Sequence, residues 1–245
     1  MRCGLYGKLP ARRDYVASFA PRAFLRLFEP WIDAGLREGR ARYGAEAFAR
    51  AYAHAPIWRF WLDPRLAGEA FAGAMTASID ALGRLYPLAL MGFDDKAPPS
   101  PPDRDPRENW FLAAEELLLD ALDPLASLDA LLARLEALRA FASETDGAPY
   151  AEKTFAAKTF STWRAARAGA AGSFWWTIGG AGVAPAGFFA AGLPDAAAFA
   201  AMFGSAGAPD ATQNDETAQA RDASGAALEL KDGGDAGDRP GDQGP

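Results

Sequence analysis

The first sixteen residues, MRCGLYGKLPARRDYV, hold a dense group of candidate functional residues: Gly4 and Gly7, Lys8 directly behind the second glycine, Pro10, Arg12, Arg13 and Asp14. A phosphate-binding loop of the G-x-x-x-x-G-K-[ST] type wraps phosphate in backbone amides and holds magnesium through its hydroxyl. Here Arg2 stands where the first glycine belongs and Leu9 where the hydroxyl belongs, so the pattern fails. A secretory signal needs an apolar run of about 7–15 residues behind its positive charge, and glycine, lysine and proline arrive first. What remains is a short strand feeding a tight turn. Gly4 and Gly7 supply positive φ or close backbone contact, Pro10 ends the strand, and Lys8, Arg12, Arg13 and Asp14 form a candidate recognition surface.

Other candidates are weaker. Gly180 and Gly182 begin a dinucleotide fingerprint, but its third position is Pro185. The chain has one histidine, His54, and no G-x-S-x-G, which leaves no basis for a Ser-His-Asp triad or a two-histidine metal site; a structural role is expected for it. Cys3 is the only cysteine, so neither an internal disulfide nor a thiolate cluster forms. Glu115 and Glu116, the nearest thing to a carboxylate pair, read as solvated faces of a regular helix. Asp80 and Arg84 lie four apart, so a helical turn pairs them at the surface, contributing about 0.3–0.5 kcal/mol. Strand alternation sends Trp175 and Trp176 to opposite faces. Either one ring is exposed as a binding hot spot, or both are buried between sheet and helices.

The elements that position these residues follow from periodicity. The stretch 20–44 reads as helical, with Pro21 and Pro30 each suited to a first turn and Gly44 to a stop, and 45–55 reads as a second helix. IWRFWL then alternates as a strand, with Trp58, Phe60 and Leu62 on one face and Ile57, Arg59 and Trp61 on the other; two apolar faces predict a mid-sheet position covered on both sides. Further strands are expected in AFAGAMTA and YPLALMGF, joined by SIDALGR as a helical turn or short helix. A proline-rich exposed loop over 94–107 precedes two helices, one opened by the D-x-x-E spacing of Asp105 and Glu108, the other by Ser127. Leucines 128, 131, 132, 135 and 138 give the second helix an apolar stripe. SFWWTIGG and AGFFAAGL read as strands and PDAAAFAAMFG as a closing helix. The expected fold is α/β (α+β): a central, mostly antiparallel sheet flanked by helices over residues 1–204, sheet-rich over 1–93 and helical with final strands over 108–204.

Composition bounds the function. Half of the 245 residues are hydrophobic and 12% aromatic, enough for a sizeable core. Residues 205–245 carry nine acidic and three basic side chains, leaving 23 acidic and 22 basic residues in the first 204. That near-neutral body offers no basic field for nucleic acid, and the Gly-, Ala- and Asp-rich tail is expected to be disordered. No stretch approaches the roughly 18 apolar residues of a membrane span, so a soluble, cytoplasmic protein is expected.

Four stretches in order, GLYGKLPARRDYV, YAHAPIWRFWL, SIDALGRLYPLAL and SFWW, resemble the TagF (ImpM) family of type VI secretion system-associated proteins. The resemblance spans about residues 3–180. The family pattern G-K-[LMI]-P-x-x-G-D-[FY] has a glycine where this chain has Arg13, so the turn must accommodate a side chain or adopt negative φ. The resemblance marks Lys8, Pro10, Asp14, Arg59, Asp80, Arg84 and Trp175 as motif positions, with Arg13 and Trp176 beside them. It implies a longin-like sheet-and-helix fold and a non-enzymatic bacterial regulator without cofactor or metal. Such a protein represses type VI secretion after translation by binding a component such as a forkhead-associated scaffold. Two rivals remain: a hydrolase or transferase using Asp80 and a second carboxylate, and a longin-like adaptor for a small GTPase.

Overall fold

Seven strands, β1 (Arg2–Lys8), β2 (Tyr15–Ser18), β3 (Trp58–Leu62), β4 (Phe71–Thr76), β5 (Leu88–Phe93), β6 (Gly172–Thr177) and β7 (Ala186–Ala191), form one sheet in the order β2-β1-β5-β4-β3-β6-β7. Every neighbouring pair is antiparallel. The structure, a computed structural model, describes residues 1–94, 96–105, 107–141, 162, 171–180 and 183–204. The acidic tail expected over 205–245 lies outside them.

Helices cover both faces. On one side α1 (Arg22–Tyr43) packs with α2 (Ala45–Ala53) and with the closing helix α6 (Ala196–Gly204); on the other lie α4 (Glu108–Ala121) and α5 (Leu128–Phe141). A short helix, α3 (Pro64–Ala67), follows β3. Each layer buries its own aromatic core, because alternate side chains of a strand point to opposite faces. Trp58, Phe60 and Leu62 of β3 join Phe24, Phe28 and Ile32 of α1, while Trp61 joins Trp110, Phe111 and Leu117 of α4. β3 lies between β4 and β6, covered on both sides as its two apolar faces predict. Leu131, Leu135 and Leu138 bury the stripe of α5.

Four local expectations are corrected. Pro30 does not start a helix of its own, and α1 runs through it. The proline is exposed, whereas Phe24, Phe28, Trp31 and Ile32 on either side of it are buried. Burial worth about 1.5–3 kcal/mol per large side chain outweighs a proline penalty of about 3 kcal/mol. SIDALGR forms a turn, not a helix: Asp80 Oδ1 accepts the Leu82 and Arg84 N–H groups, Gly83 has φ 77°, and Ile79 bridges Leu85. An aspartate that bonds the backbone two residues on competes with helix formation. The capping box at α4 is absent; the cap is Arg107 in the left-handed region, with Asp105 holding the Arg107 side chain and Glu108 turned to Arg59. The 94–107 loop is only partly exposed, since Pro99 and Pro102 are buried and the Pro99 carbonyl accepts the Trp61 indole at 3.0 Å.

Cys3 is buried in β1 against the α4 and α5 layer, and burial pushes its thiol up to about 11. The thiolate is the reactive form. The native protein at pH 8 is therefore expected to resist iodoacetamide, and the urea-unfolded chain to take up one adduct; mass spectrometry reads both, and equal labelling rates would refute the packing of β1.

Candidate functional site at one end of the sheet

Antiparallel pairing returns alternate connections to the same end of a sheet. The registers Lys8 with Tyr15, Thr76 with Leu88, Trp58 with Met75 and Thr177 with Ala186 place the β1–β2, β4–β5, α2–β3 and β6–β7 connections together. The motif residues Lys8, Arg59, Asp80 and Arg84 gather near this end, in two ion-pair networks.

In the first, Asp80 is the hub. Its Oδ2 accepts Lys8 Nζ at 2.9 Å and Arg84 Nε at 2.7 Å, and its Oδ1 takes the two backbone N–H groups of its own turn at 2.9 Å each. Burial alone would raise this carboxyl. The Arg84 and Leu82 amides and the Lys8 and Arg84 side chains overcome that and hold it well below the usual carboxylate range. Asp80 is therefore an anion at neutral pH and does not serve there as a general acid. The surface reading of Lys8 and of the Asp80–Arg84 pair is corrected: Lys8 and Asp80 are buried, and only Arg84 reaches solvent. The reason is tertiary. Lys8 lies 5.0 Å over the Tyr15 ring and is covered by the 77–87 connection.

That network ties two turns together. Leu9 to Arg12 closes a turn with Pro10 in its second position, the Arg12 N–H donating to Leu9 at 3.0 Å. Ser78 Oγ donates to the Lys8 carbonyl at 2.8 Å, the Ala81 N–H to Arg12 at 3.3 Å, and the Arg84 guanidinium to the Arg13 carbonyl. Gly7 is required here: it has φ 139°, and a Cβ would strike the Pro87 carbonyl. Among the described non-glycine residues only Phe19 and Arg107 have positive φ, so Arg13 takes the family's glycine position with ordinary backbone. Arg12, Arg13 and Asp14 are exposed, as are Tyr15 at 52% and Leu82 at 56%.

In the second network Arg59 is the hub. Its Nε and Nη2 donate to the two Glu115 oxygens at 2.6 and 2.9 Å, its Nη1 donates to Glu108 at 2.8 Å, and its guanidinium lies 5.1 Å from the Phe111 ring centre. Burial would lower its pKa, but the two carboxylates outweigh this and raise it. Glu115 is thus corrected from a solvated position to a buried partner. A signal was present: an arginine on a strand with two apolar faces needs carboxylates, and Glu108 and Glu115, seven apart, share one face of α4. Glu116 is exposed.

Trp175 and Trp176 do point to opposite faces, yet both are buried, at 0% and 2% exposure, which removes the exposed hot spot. Trp175 packs on Phe60 and Trp31, Trp176 on Phe111. A feature not singled out from the sequence is a tyrosine cluster beside Lys8: Tyr6 and Tyr86 share a 2.9 Å hydrogen bond, and Tyr15 meets both rings. Burial pushes Tyr6 and Tyr86 far up, so both stay neutral. Beside the second network, with Glu115 in its wall, opens a cavity of about 450 Å³ that exposed His54 also lines. Among the described residues no group of three His, Cys, Asp or Glu could hold a metal, and no helix is long and apolar enough to cross a membrane.

A single antiparallel sheet sealed by helices on both faces, with the loops at one end pinned by buried ion pairs, defines an α+β protein that presents those loops from a rigid base. The chain belongs to the TagF N-terminal domain family, type VI secretion system-associated, whose model matches residues 4–138; both ion-pair networks lie inside that span. The fold is similar to a crystal structure of PA0076 from Pseudomonas aeruginosa PAO1, at 29% identity and a TM-score of 0.63, covering 82% of this chain and 93% of that one. The curated proteins contain no match.

Proposed function

We propose that this protein is a non-enzymatic, post-translational repressor of type VI secretion that acts in the cytoplasm. It binds a secretion-system component, a forkhead-associated scaffold being the leading candidate, through the β1–β2 turn. The observation that carries this reading is the division of labour around Asp80. The buried charges of Lys8 and Asp80 are consumed in fixing backbone, while Arg12, Arg13, Asp14, Tyr15 and Leu82 stand exposed on the turns so fixed. Binding residues on loops held by a rigid scaffold lose little freedom when a partner docks. On this reading Arg12, Arg13 and Asp14 touch the partner; Lys8, Pro10, Arg59, Asp80 and Arg84 position, and Trp175 and Trp176 pack.

The test is a pull-down from native cytoplasm with the full chain and with Arg12→Glu plus Arg13→Glu. The parent is expected to recover a secretion-system protein and the variant to lose most of it, with melting temperatures equal to within about 2 °C, because exposed substitutions usually move stability by under about 0.5 kcal/mol. Undiminished capture by the variant would sink the recognition role of the turn.

A further inference from the structure

The two networks carry opposite excess charge. Lys8, Asp80 and Arg84 sum to two cations and one anion; Arg59, Glu108 and Glu115 sum to one cation and two anions. The negative network meets the cavity of about 450 Å³ through Glu115, which is part of its wall. The rest of the wall is largely apolar: Ile57 and Ala77 from the sheet-end connections, Leu119 and Leu122 from α4, and Ile178 from the β6–β7 turn. This is the composition of a binding site, a mainly hydrophobic concavity with one placed charge.

Three features define what fits. Each Glu115 oxygen accepts one bond from Arg59, and a carboxylate oxygen has a second lone pair to offer. Arg59, Glu108 and Glu115 together keep one net negative charge, so on the Glu115 side of that network a cation is favoured over an anion. Leu119 and Ile178 stand 56% and 55% exposed beside the opening, carrying the apolar surface past the cavity itself. Gly179 and Gly180, with φ 84° and 140°, form part of the rim; among the described residues no atom crowds the Cβ position of Gly180, so an incoming backbone can approach closely.

We propose that this cavity seats a basic, leucine-bearing segment of a protein partner, with a lysine ammonium on Glu115 and leucine side chains against Ile57, Leu119 and Ile178. The site is separate from the β1–β2 turn and of opposite sign, so a partner that used both would be held in one orientation.

The experiment is a titration of the full chain, followed by amide NMR shifts, with two acetylated and amidated tripeptides, Leu-Lys-Leu and Leu-Glu-Leu. Saturable shifts are expected at His54, Ala77, Gly179 and Gly180 with the lysine peptide. The glutamate peptide is expected to bind roughly tenfold or more weakly, the loss that accompanies one charge-assisted hydrogen bond. Ala53→Trp, at an exposed position on the cavity wall, fills the space and is expected to abolish the shifts; Ile178→Ser, also exposed, is expected to weaken them. Equal binding of the two peptides, shifts that never saturate, or parent-like binding by both variants overturns the proposal.

Discussion

Lys8→Glu is expected to cost the protein about 3–5 kcal/mol, because it removes one partner of a buried ion pair and leaves the other uncompensated. The new carboxylate would also face Asp80, whose Oδ2 now accepts Lys8 Nζ at 2.9 Å in a site where both side chains are almost fully covered. For a domain of this size that loss corresponds to a fall of roughly 10 °C in melting temperature. Lys8 looks like a surface charge in the sequence, and its replacement would then have tested binding; in the structure it tests folding. The pH dependence follows with a definite sign. Asp80 is held below its ordinary value, so its contribution is complete above about pH 4 and is lost as pH falls from there through the folded value. Urea unfolding at pH 7 and pH 3 should therefore show the parent losing its advantage over Asp80→Asn in acid. A Lys8→Glu protein melting within about 2 °C of the parent would dissolve the pair.

The features legible in the sequence were those written in local rules. Period-two alternation placed Trp58, Phe60 and Leu62 on one face of β3 and Trp61 on the other, and separated Trp175 from Trp176. Gly44 ended α1, its N–H returning to the Arg40 carbonyl, and Gly7 marked the close approach of β1 to Pro87. What local rules missed was decided by partners far along the chain. Lys8 and Asp80 are 72 residues apart, and Arg59 and Glu115 are 56 apart. Four-residue spacing between Asp80 and Arg84 suits a helix and a tight turn alike, and the choice fell to the turn because Asp80 caps its own backbone while bonding Lys8. At Asp105 and Glu108 the capping pattern was present, but Arg59 offered Glu108 a buried guanidinium, a stronger partner than a helix amide. Even at the candidate site the residue types were visible; which of them face solvent was not.

Arg59→Met is expected to cost a further independent 3–5 kcal/mol or so, for a related reason on the opposite face of the sheet: Glu115 would remain buried beside Phe111 with no cation. Arg59→Lys should not rescue it, because one ammonium cannot reproduce a planar fork that serves two Glu115 oxygens and Glu108 together. Arg59→Met with Glu115→Leu should recover most of the loss, since apolar replacement of a whole buried pair is often neutral or better. Glu108, with about a third of its side chain exposed, can turn to water. Denaturant unfolding of the parent, Arg59→Met, Glu115→Leu alone and the double variant closes a double-mutant cycle, and a coupling energy above about 1 kcal/mol identifies the pair as acting together. The rescued double variant separates fold from recognition. It keeps α4 on the sheet but removes the carboxylate from the cavity wall, so it should fold like the parent and no longer prefer the lysine tripeptide over the glutamate one. If it unfolds like Arg59→Met alone, the network is needed for more than its own charge balance, and Glu108 becomes the residue to replace next.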